Sequence, residues 1–318
     1  MRLAAIDLGT VTSRLLVADV CDNKINELER RIQITHLGEA LNETGRIGKD
    51  AIERELSACS DFLATIKEVE RRDGKSVERV IAIATSAMRD ADNREEACSA
   101  LLKAGIEIEV IDGKREAELT FLGAVCALEA DSFAKAGELM VVDVGGGSTE
   151  LVRGFGGREG RVPQIIEAGS FDIGSRRISD RFLISDPPLE AEISKAKGWI
   201  ETEVGEFFTS LVQPPKALIA VAGTATTVVT VRDEMSDYDP WKVHGATVSD
   251  SELDRVFNKL AQLRLKERMQ CTGLEPARAS VILGGLLVLK AVLAFSGLRS
   301  FIVSEMDILH GLILSAAR

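Results

Sequence analysis

Two stretches far apart in the chain repeat one pattern, and that repeat constrains the fold more than any other feature. Residues 3–17 read LAAIDLGTVTSRLLV and residues 140–152 read MVVDVGGGSTELV. Asp7 aligns with Asp143, Gly9 with Gly145, Thr12 and Ser13 with Ser148 and Thr149, and Leu15 with Leu151, while Arg14 and Glu150 place opposite charges at one position. In each copy an apolar run delivers an aspartate to the end of a strand, a glycine and hydroxyl turn follows, and a second apolar run begins. Glycine lets backbone N–H groups approach an anion closely and permits positive φ. The hydroxyls add donors, and a carboxylate suits Mg²⁺, a hard cation that prefers oxygen. Either stretch alone reads equally well as a tight hairpin with glycine at its turn. Two ordered copies form an internal repeat, and two halves facing one another across a phosphate is the economical reading.

A length of 318 residues suits about two domains. The net charge of −11 argues against nucleic acid or a membrane surface as partner, so an anionic substrate needs a local basic lining or a metal ion. Cys21, Cys59, Cys98, Cys126 and Cys271 are scattered and show no C-x-x-C spacing. They fit thiols of a reducing cytoplasm, not a disulfide framework or a zinc site, and no signal-peptide core precedes the first strand. Val281 to Phe295, VILGGLLVLKAVLAF, approaches membrane-spanning length. Lys290 inside it would cost about 2.5–3.5 kcal/mol on insertion, and Gly284–Gly285 suits close packing, so a buried core helix is expected.

In the first half, strands are expected at Val17–Val20 and Glu27–Thr35, followed by a glycine-rich loop at Gly38–Gly48. An amphipathic helix at Lys49–Arg72, a strand at Val80–Ala84, a helix at Arg94–Ala104 and a strand at Glu107–Ile111 complete a β-β-β-α-β-α-β order. Arg89 follows a strand end, where a guanidinium is well placed to grip phosphate, although a surface arginine would read the same way. Glu116 falls in the first turn of a helix running to about Leu128, where the macrodipole alone favours a carboxylate.

The second half offers a hairpin tip at Gly154–Gly160 and a strand at Gln164–Ala168. Arg176 and Arg177 then enter a helix after a Gly/Ser turn, a candidate patch for a polyanion unless they serve solubility alone. A long helix at Leu189–Leu211 and a strand at Ala217–Ala222 lead to Gly223 and Thr224, a third glycine and hydroxyl turn whose N–H groups would suit an anion. Tyr238–Gly245 reads as an irregular loop whose Lys242 and His244 join the polyanion candidates. Helices at Asp250–Cys271 and Glu275–Phe295, a strand at Ser300–Val303 and a helix from Met306 close the chain.

The segments AIDLGTVTSRLL, ATSAMRDADN, DGKREAELTFLG, VVDVGGGSTEL, AGTATT, DPWKVHG, ARASVILGG and VSEMDILHGLI lie in this order over almost the whole chain. With them the sequence resembles the exopolyphosphatase/guanosine pentaphosphate phosphohydrolase (Ppx/GppA) family, in its short two-domain form. That family belongs to the actin-like, sugar-kinase and Hsp70 ATPase superfamily. The resemblance implies an α/β chain with two actin-like (ribonuclease H-like) domains, each built on a mixed five-stranded sheet, facing across a cleft. Residues 1–125 with the last helix, about 304–318, would form one domain, and 126–303 the other.

The resemblance also implies a Mg²⁺-dependent phosphohydrolase, with Mn²⁺ as a substitute. Asp7 and Asp143 would hold the metal and Arg89 the terminal phosphate, helped by the turn of Gly9, Thr10, Thr12, Ser13 and Arg14 and by that of Gly145, Gly146, Gly147, Ser148 and Thr149. Glu116 and Glu150 would orient or deprotonate the attacking water. Three departures stand out: Val11 where the family is polar, Arg115 in place of the first of two glutamates, and Glu118 where arginine is usual. The last two would preserve an ion pair with its polarity reversed. Inorganic polyphosphate is the leading substrate, because a guanosine pentaphosphate or tetraphosphate site would want stacking surface and, beyond its phenylalanines, the chain has only Tyr238 and two tryptophans. A homodimer stays open. A small-molecule kinase is disfavoured by the glutamate pair, and a non-catalytic phosphate or nucleotide sensor is the reading from another class.

Overall fold

An uninterrupted apolar run makes a strand that can be buried on both faces. RLAAIDL does so as β1 (Arg2–Leu8), every residue of which is buried. A computed structural model describes residues 1–22, 24–126, 137–156, 163–211 and 213–318. It divides into two compact units, Met1–Gly123 with Ile308–Arg318, and Ala124–Asp307.

In the first unit β1 is followed by β2 (Thr12–Cys21) and β3 (Lys24–Ile34), then α1 (Leu41–Thr44), α2 (Lys49–Asp73), β4 (Arg79–Ala84), α3 (Ser86–Asp90), α4 (Arg94–Lys103), β5 (Glu109–Val110) and α5 (Gly113–Cys126). The sheet order is β3-β2-β1-β4-β5, antiparallel among the first three strands and parallel from β1 through β4 to β5. Alternate residues of β1 feed two cores. Ala4, Ile6 and Leu8 pack with α2 through Phe62, while Leu3 and Ala5 pack with Leu119 and the C-terminal helix.

The second unit runs β6 (Glu138–Val144), β7 (Thr149–Phe155), β8 (Gln164–Phe171), α6 (Ser175–Phe182), α7 (Glu190–Thr209), β9 (Ala217–Val221), α8 (Ala222–Arg232), α9 (Pro240–Val243), β10 (Thr247–Ser249), α10 (Asp250–Ala261), α11 (Leu265–Arg268), α12 (Ile282–Phe295) and β11 (Ser300–Ser304). Helix α13 (Ile308–Ala316) then belongs to the first unit. The second sheet is ordered β10-β11-β9-β6-β7-β8.

The internal repeat extends to backbone register. Asp7 pairs across with Arg14 and Asp143 with Glu150, each next to a parallel partner strand, β4 and β9. A register shift also recurs, between Val17 and Ala18 in one copy and between Arg153 and Gly154 in the other, at the same remove from its aspartate.

Several expectations are corrected. The second sheet has six strands, because β10 adds an edge that three residues of alternating pattern were too short to announce. The Tyr238–Gly245 loop contains α9, started by Pro240 and capped by Asp239, whose carboxylate accepts from Trp241 N–H. The helix expected at Asp250–Cys271 breaks into α10 and α11, and the one at Glu275–Phe295 begins as a 3-10 turn at Pro276–Arg278. Gly273 between them has a φ of +84°, and a Cβ there would lie 2.0 Å from the Thr230 carbonyl oxygen, so the chain must turn. The Glu107–Ile111 strand shortens to Glu109–Val110, and much of the Gly154–Gly160 tip lies outside the described residues.

Helix α12 is a core element. Lys290 forms an ion pair with Asp254, and its ammonium lies 4.6 Å from the centre of the Phe257 ring. Among the described residues no helix is long and apolar enough to cross a membrane.

Candidate active site

Because β1, β4 and β5 are parallel, their C-terminal ends carry side by side the residues that follow each strand. Asp7 ends β1 and is paired with Arg14 on β2, whose Nε lies 3.1 Å from Oδ2. The turn between them closes through Gly9 N–H to the Thr12 carbonyl at 3.1 Å. A Cβ on Gly9 would meet that carbonyl oxygen at 2.7 Å, so only glycine fits without a shift. Thr35 and His36 both donate backbone N–H to the Val11 carbonyl at 3.0 Å, and Gly38 donates to that of Thr10 at 2.8 Å.

Arg89 stands on α3, directly after β4. Its Nη1 donates to the Ile111 carbonyl at 3.1 Å and to Glu116 Oε2 at 3.0 Å. Glu116 is buried in the first turn of α5, so the guanidinium supplies the counter-charge that a buried carboxylate requires. One turn away, Arg115 and Glu118 form the reversed ion pair at 3.5 Å.

In the second unit the glycine turn is held from behind by α6. The Gly145 carbonyl accepts Ser175 N–H at 2.8 Å, that of Gly146 accepts Arg176 N–H at 2.9 Å, and that of Gly147 accepts Arg177 Nε at 2.9 Å. In a trans peptide C=O and N–H point in opposite directions. With three successive carbonyls committed to α6, the N–H groups of Gly146, Gly147 and Ser148 point the other way from those carbonyls and could donate to an anion. The approach is close: a Cβ on Gly174 would lie 2.3 Å from the Gly146 oxygen. Asp143 and Glu150 are both buried at this end of the β6–β7 pair, and Glu150 accepts Ser170 Oγ at 2.8 Å.

Two hydroxyls expected to help hold phosphate are engaged within the protein. Strand alternation turns Ser13 and Thr149 to the faces opposite Asp7 and Asp143. Ser13 donates inward to Glu55 at 2.8 Å, and Thr149 donates to the Ile173 carbonyl. Thr12 and Ser148 keep the sides of their aspartates. Thr224 Oγ1 is likewise engaged, with the Val144 carbonyl at 3.1 Å, tying α8 to the end of β6. Gly223 lies under the Arg278 guanidinium.

Of the arginines offered as a polyanion patch, Arg176 is buried, with Asp180 at 3.5 Å, and Arg177 donates to the Gly147 carbonyl and faces Asp172 at 3.7 Å. Lys242 is exposed beside Asp239, while His244 Nδ1 accepts Glu305 N–H at 3.2 Å.

Among the described residues no three or more His, Cys, Asp or Glu side chains form a metal cage. Mg²⁺ does not need one, since it commonly takes one or two carboxylates and completes its shell with water and substrate phosphate. Asp143 and Glu150, paired across β6 and β7 and both buried, are the residues that could hold such an ion. Asp7 already carries Arg14 as its counter-ion.

A sequence profile described as the Ppx/GppA phosphatase family matches residues 16–318. The chain belongs to the Ppx/GppA phosphatase family. It is 34% identical over 332 aligned positions to exopolyphosphatase 2 of Mycobacterium tuberculosis, with 99% of this chain and 98% of that protein covered. In structure it is similar to an exopolyphosphatase-like protein, at a TM-score of 0.90, 32% identity and coverage of 99% and 97%. The Aquifex aeolicus PPX-GPPA enzyme is also similar, at 0.79, 31% identity and 99% coverage of both chains. As a Ppx/GppA phosphatase the protein is a hydrolase, and its α/β architecture with two mixed sheets is that of the family's structures.

Three residues of this Ppx/GppA phosphatase escaped the sequence reading. Arg278 and Ser170 gave no local signal. Glu55 did: with Ile52, Cys59 and Phe62 at helical spacing around it, it is a carboxylate on the apolar face of α2. It is fully buried, and burial, reinforced by the nearby Asp7 charge and opposed by hydroxyl donors, raises its pKa to about 7.

Proposed function

We propose that this phosphatase releases terminal orthophosphate from inorganic polyphosphate by attack of water. The observation that supports this reading is the second glycine turn, whose three carbonyls are fixed by α6, leaving the N–H groups on the other side of those peptides to serve phosphate oxygens. Phosphoryl transfer needs positioning and charge neutralisation more than covalent chemistry. In the first unit, Arg89 binds the terminal group. Glu116, oriented by Arg89, takes a proton from the attacking water as its oxygen bonds to phosphorus. The bridging P–O bond breaks, and the shortened chain leaves as the anion. In the second unit, the glycine turn offers N–H groups to phosphate, and Asp143 and Glu150, the latter held by Ser170, would hold a metal. Bound Mg²⁺, or Mn²⁺ in its place, would neutralise charge on the phosphate oxygens. The exopolyphosphatase names of relatives support polyphosphate, and five free thiols suit a reducing cytoplasm.

A second reading is guanosine pentaphosphate as substrate. Trp241 on α9 is 89% exposed and offers a stacking face for a base. Phosphate release from long-chain polyphosphate, guanosine pentaphosphate and ATP, measured in parallel with Mg²⁺, separates the two. Release from polyphosphate that falls by about a hundredfold or more in Glu116→Gln supports the proposal. Release from guanosine pentaphosphate alone moves the assignment to the nucleotide, and near-normal turnover in the variant removes Glu116 as base.

A further inference from the structure

Below the first glycine turn lies a polar cluster inside an apolar core. Glu55 is 0% exposed, on the buried face of α2 that carries Ile52, Cys59 and Phe62 into the core of the first unit. It accepts the Ser13 hydroxyl at 2.8 Å, and the Ser13 and Thr35 hydroxyl oxygens lie 3.3 Å apart, both residues being buried. Ser13 is the first residue of β2 to pair with β1, immediately after the turn, and Thr35 directly follows β3.

Each hydroxyl belongs to a segment that shapes the turn. Thr35, His36 and Gly38 supply the N–H groups that hold the Val11 and Thr10 carbonyls, and His36 adopts a left-handed φ of 50° to do so. The same segment is gripped again from α2, where Arg54 Nε donates to the Thr35 carbonyl at 2.7 Å and Nη2 reaches Glu39 at 2.7 Å. Arg54 therefore holds the supporting segment, and Glu55, the next residue of the helix, reaches the strand that leaves the turn.

Burying a carboxylate costs free energy that an apolar side chain of similar size would not. In this core a leucine would pack without that penalty, yet it would release the Ser13 hydroxyl. We propose that Glu55 is a positioning residue: by accepting the Ser13 hydroxyl, which itself lies against that of Thr35, it locks the Gly9–Ser13 turn onto residues 35–38 in the shape that receives substrate phosphate. The inference rests on the proposed polyphosphate reading for its ligand, and on the hydrogen bonds alone for its geometry.

The test compares Glu55→Leu, Glu55→Gln and Thr35→Val with wild type, using inorganic tripolyphosphate. Losing the acceptor for Ser13 in Glu55→Leu should raise KM about tenfold, the size of about one hydrogen bond, with kcat within about twofold and the melting temperature unchanged or higher. Glutamine retains an acceptor and should restore KM, while Thr35→Val should shift it in the same direction by less. Amide hydrogen exchange at residues 9–13 should accelerate in Glu55→Leu and not in Glu55→Gln. Unchanged KM and unchanged exchange in Glu55→Leu overturn the proposal, as does a fall in kcat and melting temperature that glutamine does not rescue. Where wild type neither hydrolyses nor binds tripolyphosphate, the substrate reading has failed, and the exchange of residues 9–13 decides the positioning role by itself. If Glu55→Leu does not fold, Thr35→Val carries both readouts.

Discussion

Replacing Glu55 by glutamine should stabilise the protein increasingly as pH rises. The carboxyl's ordinary value is 4.5, and burial lifts it in the folded chain to about 7. Below pH 4.5 the group is protonated in both states and has no effect on stability. Between 4.5 and about 7 the unfolded chain releases the proton while the folded chain keeps it, so folding is progressively disfavoured. Above about 7 the penalty is complete, at about 1.4 kcal/mol per pH unit, or about 3 kcal/mol in all. Glutamine cannot ionise and escapes it. The advantage of Glu55→Gln should therefore be about 1 kcal/mol at pH 5.5 and about 3 kcal/mol at pH 8. Trp199, Trp241 and Tyr238 all lie in the second unit, so their fluorescence does not report directly on α2. Urea titration followed by far-UV circular dichroism, with hydrogen exchange along α2, reads the first unit. Parallel wild-type and variant stabilities from pH 5.5 to 8 would refute the assignment of a protonated buried carboxyl.

Two other perturbations separate stability from catalysis. Arg14→Gln leaves the buried Asp7 carboxylate without its ion pair and should cost about 3–5 kcal/mol, most of it recovered by Asp7→Asn in the same chain, as measured by urea titration of the first unit. Thr149→Val removes a buried donor from the Ile173 carbonyl and should cost about 1–3 kcal/mol, while KM for polyphosphate changes less than twofold. A KM rise without loss of stability would restore Thr149 as a substrate ligand.

The repeat made the two aspartates legible, because strand-end carboxylates followed by glycine turns need only local pattern. The facing of the hydroxyls was not legible. Whether Ser13 and Thr149 lie in the turn or already in the strand depends on where pairing begins, and pairing begins early enough to turn both inward. Arg176 misled for a different reason. Its partner Asp180 stands four residues on, but its burial reflects how tightly α12 packs on α6, where a Cβ on Gly284 would lie 2.4 Å from the Ser175 carbonyl oxygen. Such contacts join distant segments and leave no local trace. The Arg115–Glu118 exchange, by contrast, was readable as a pair because helical spacing alone places the two within reach.

Helix α13 sets an order on synthesis. Ile308, Leu309, Leu312 and Ile313 cover Leu3, Ala5, Leu16 and Ala18, and Gly311 lies so close to Leu119 that a Cβ would meet its carbonyl oxygen at 1.8 Å. One face of the first sheet therefore stays only partly covered, by Leu119 of α5, until α13 has left the ribosome. The second unit is continuous from Ala124 to Asp307 and has emerged by then. The part of the chain made first must finish folding last, and throughout translation its exposed strands are the surface that a nascent-chain chaperone would find.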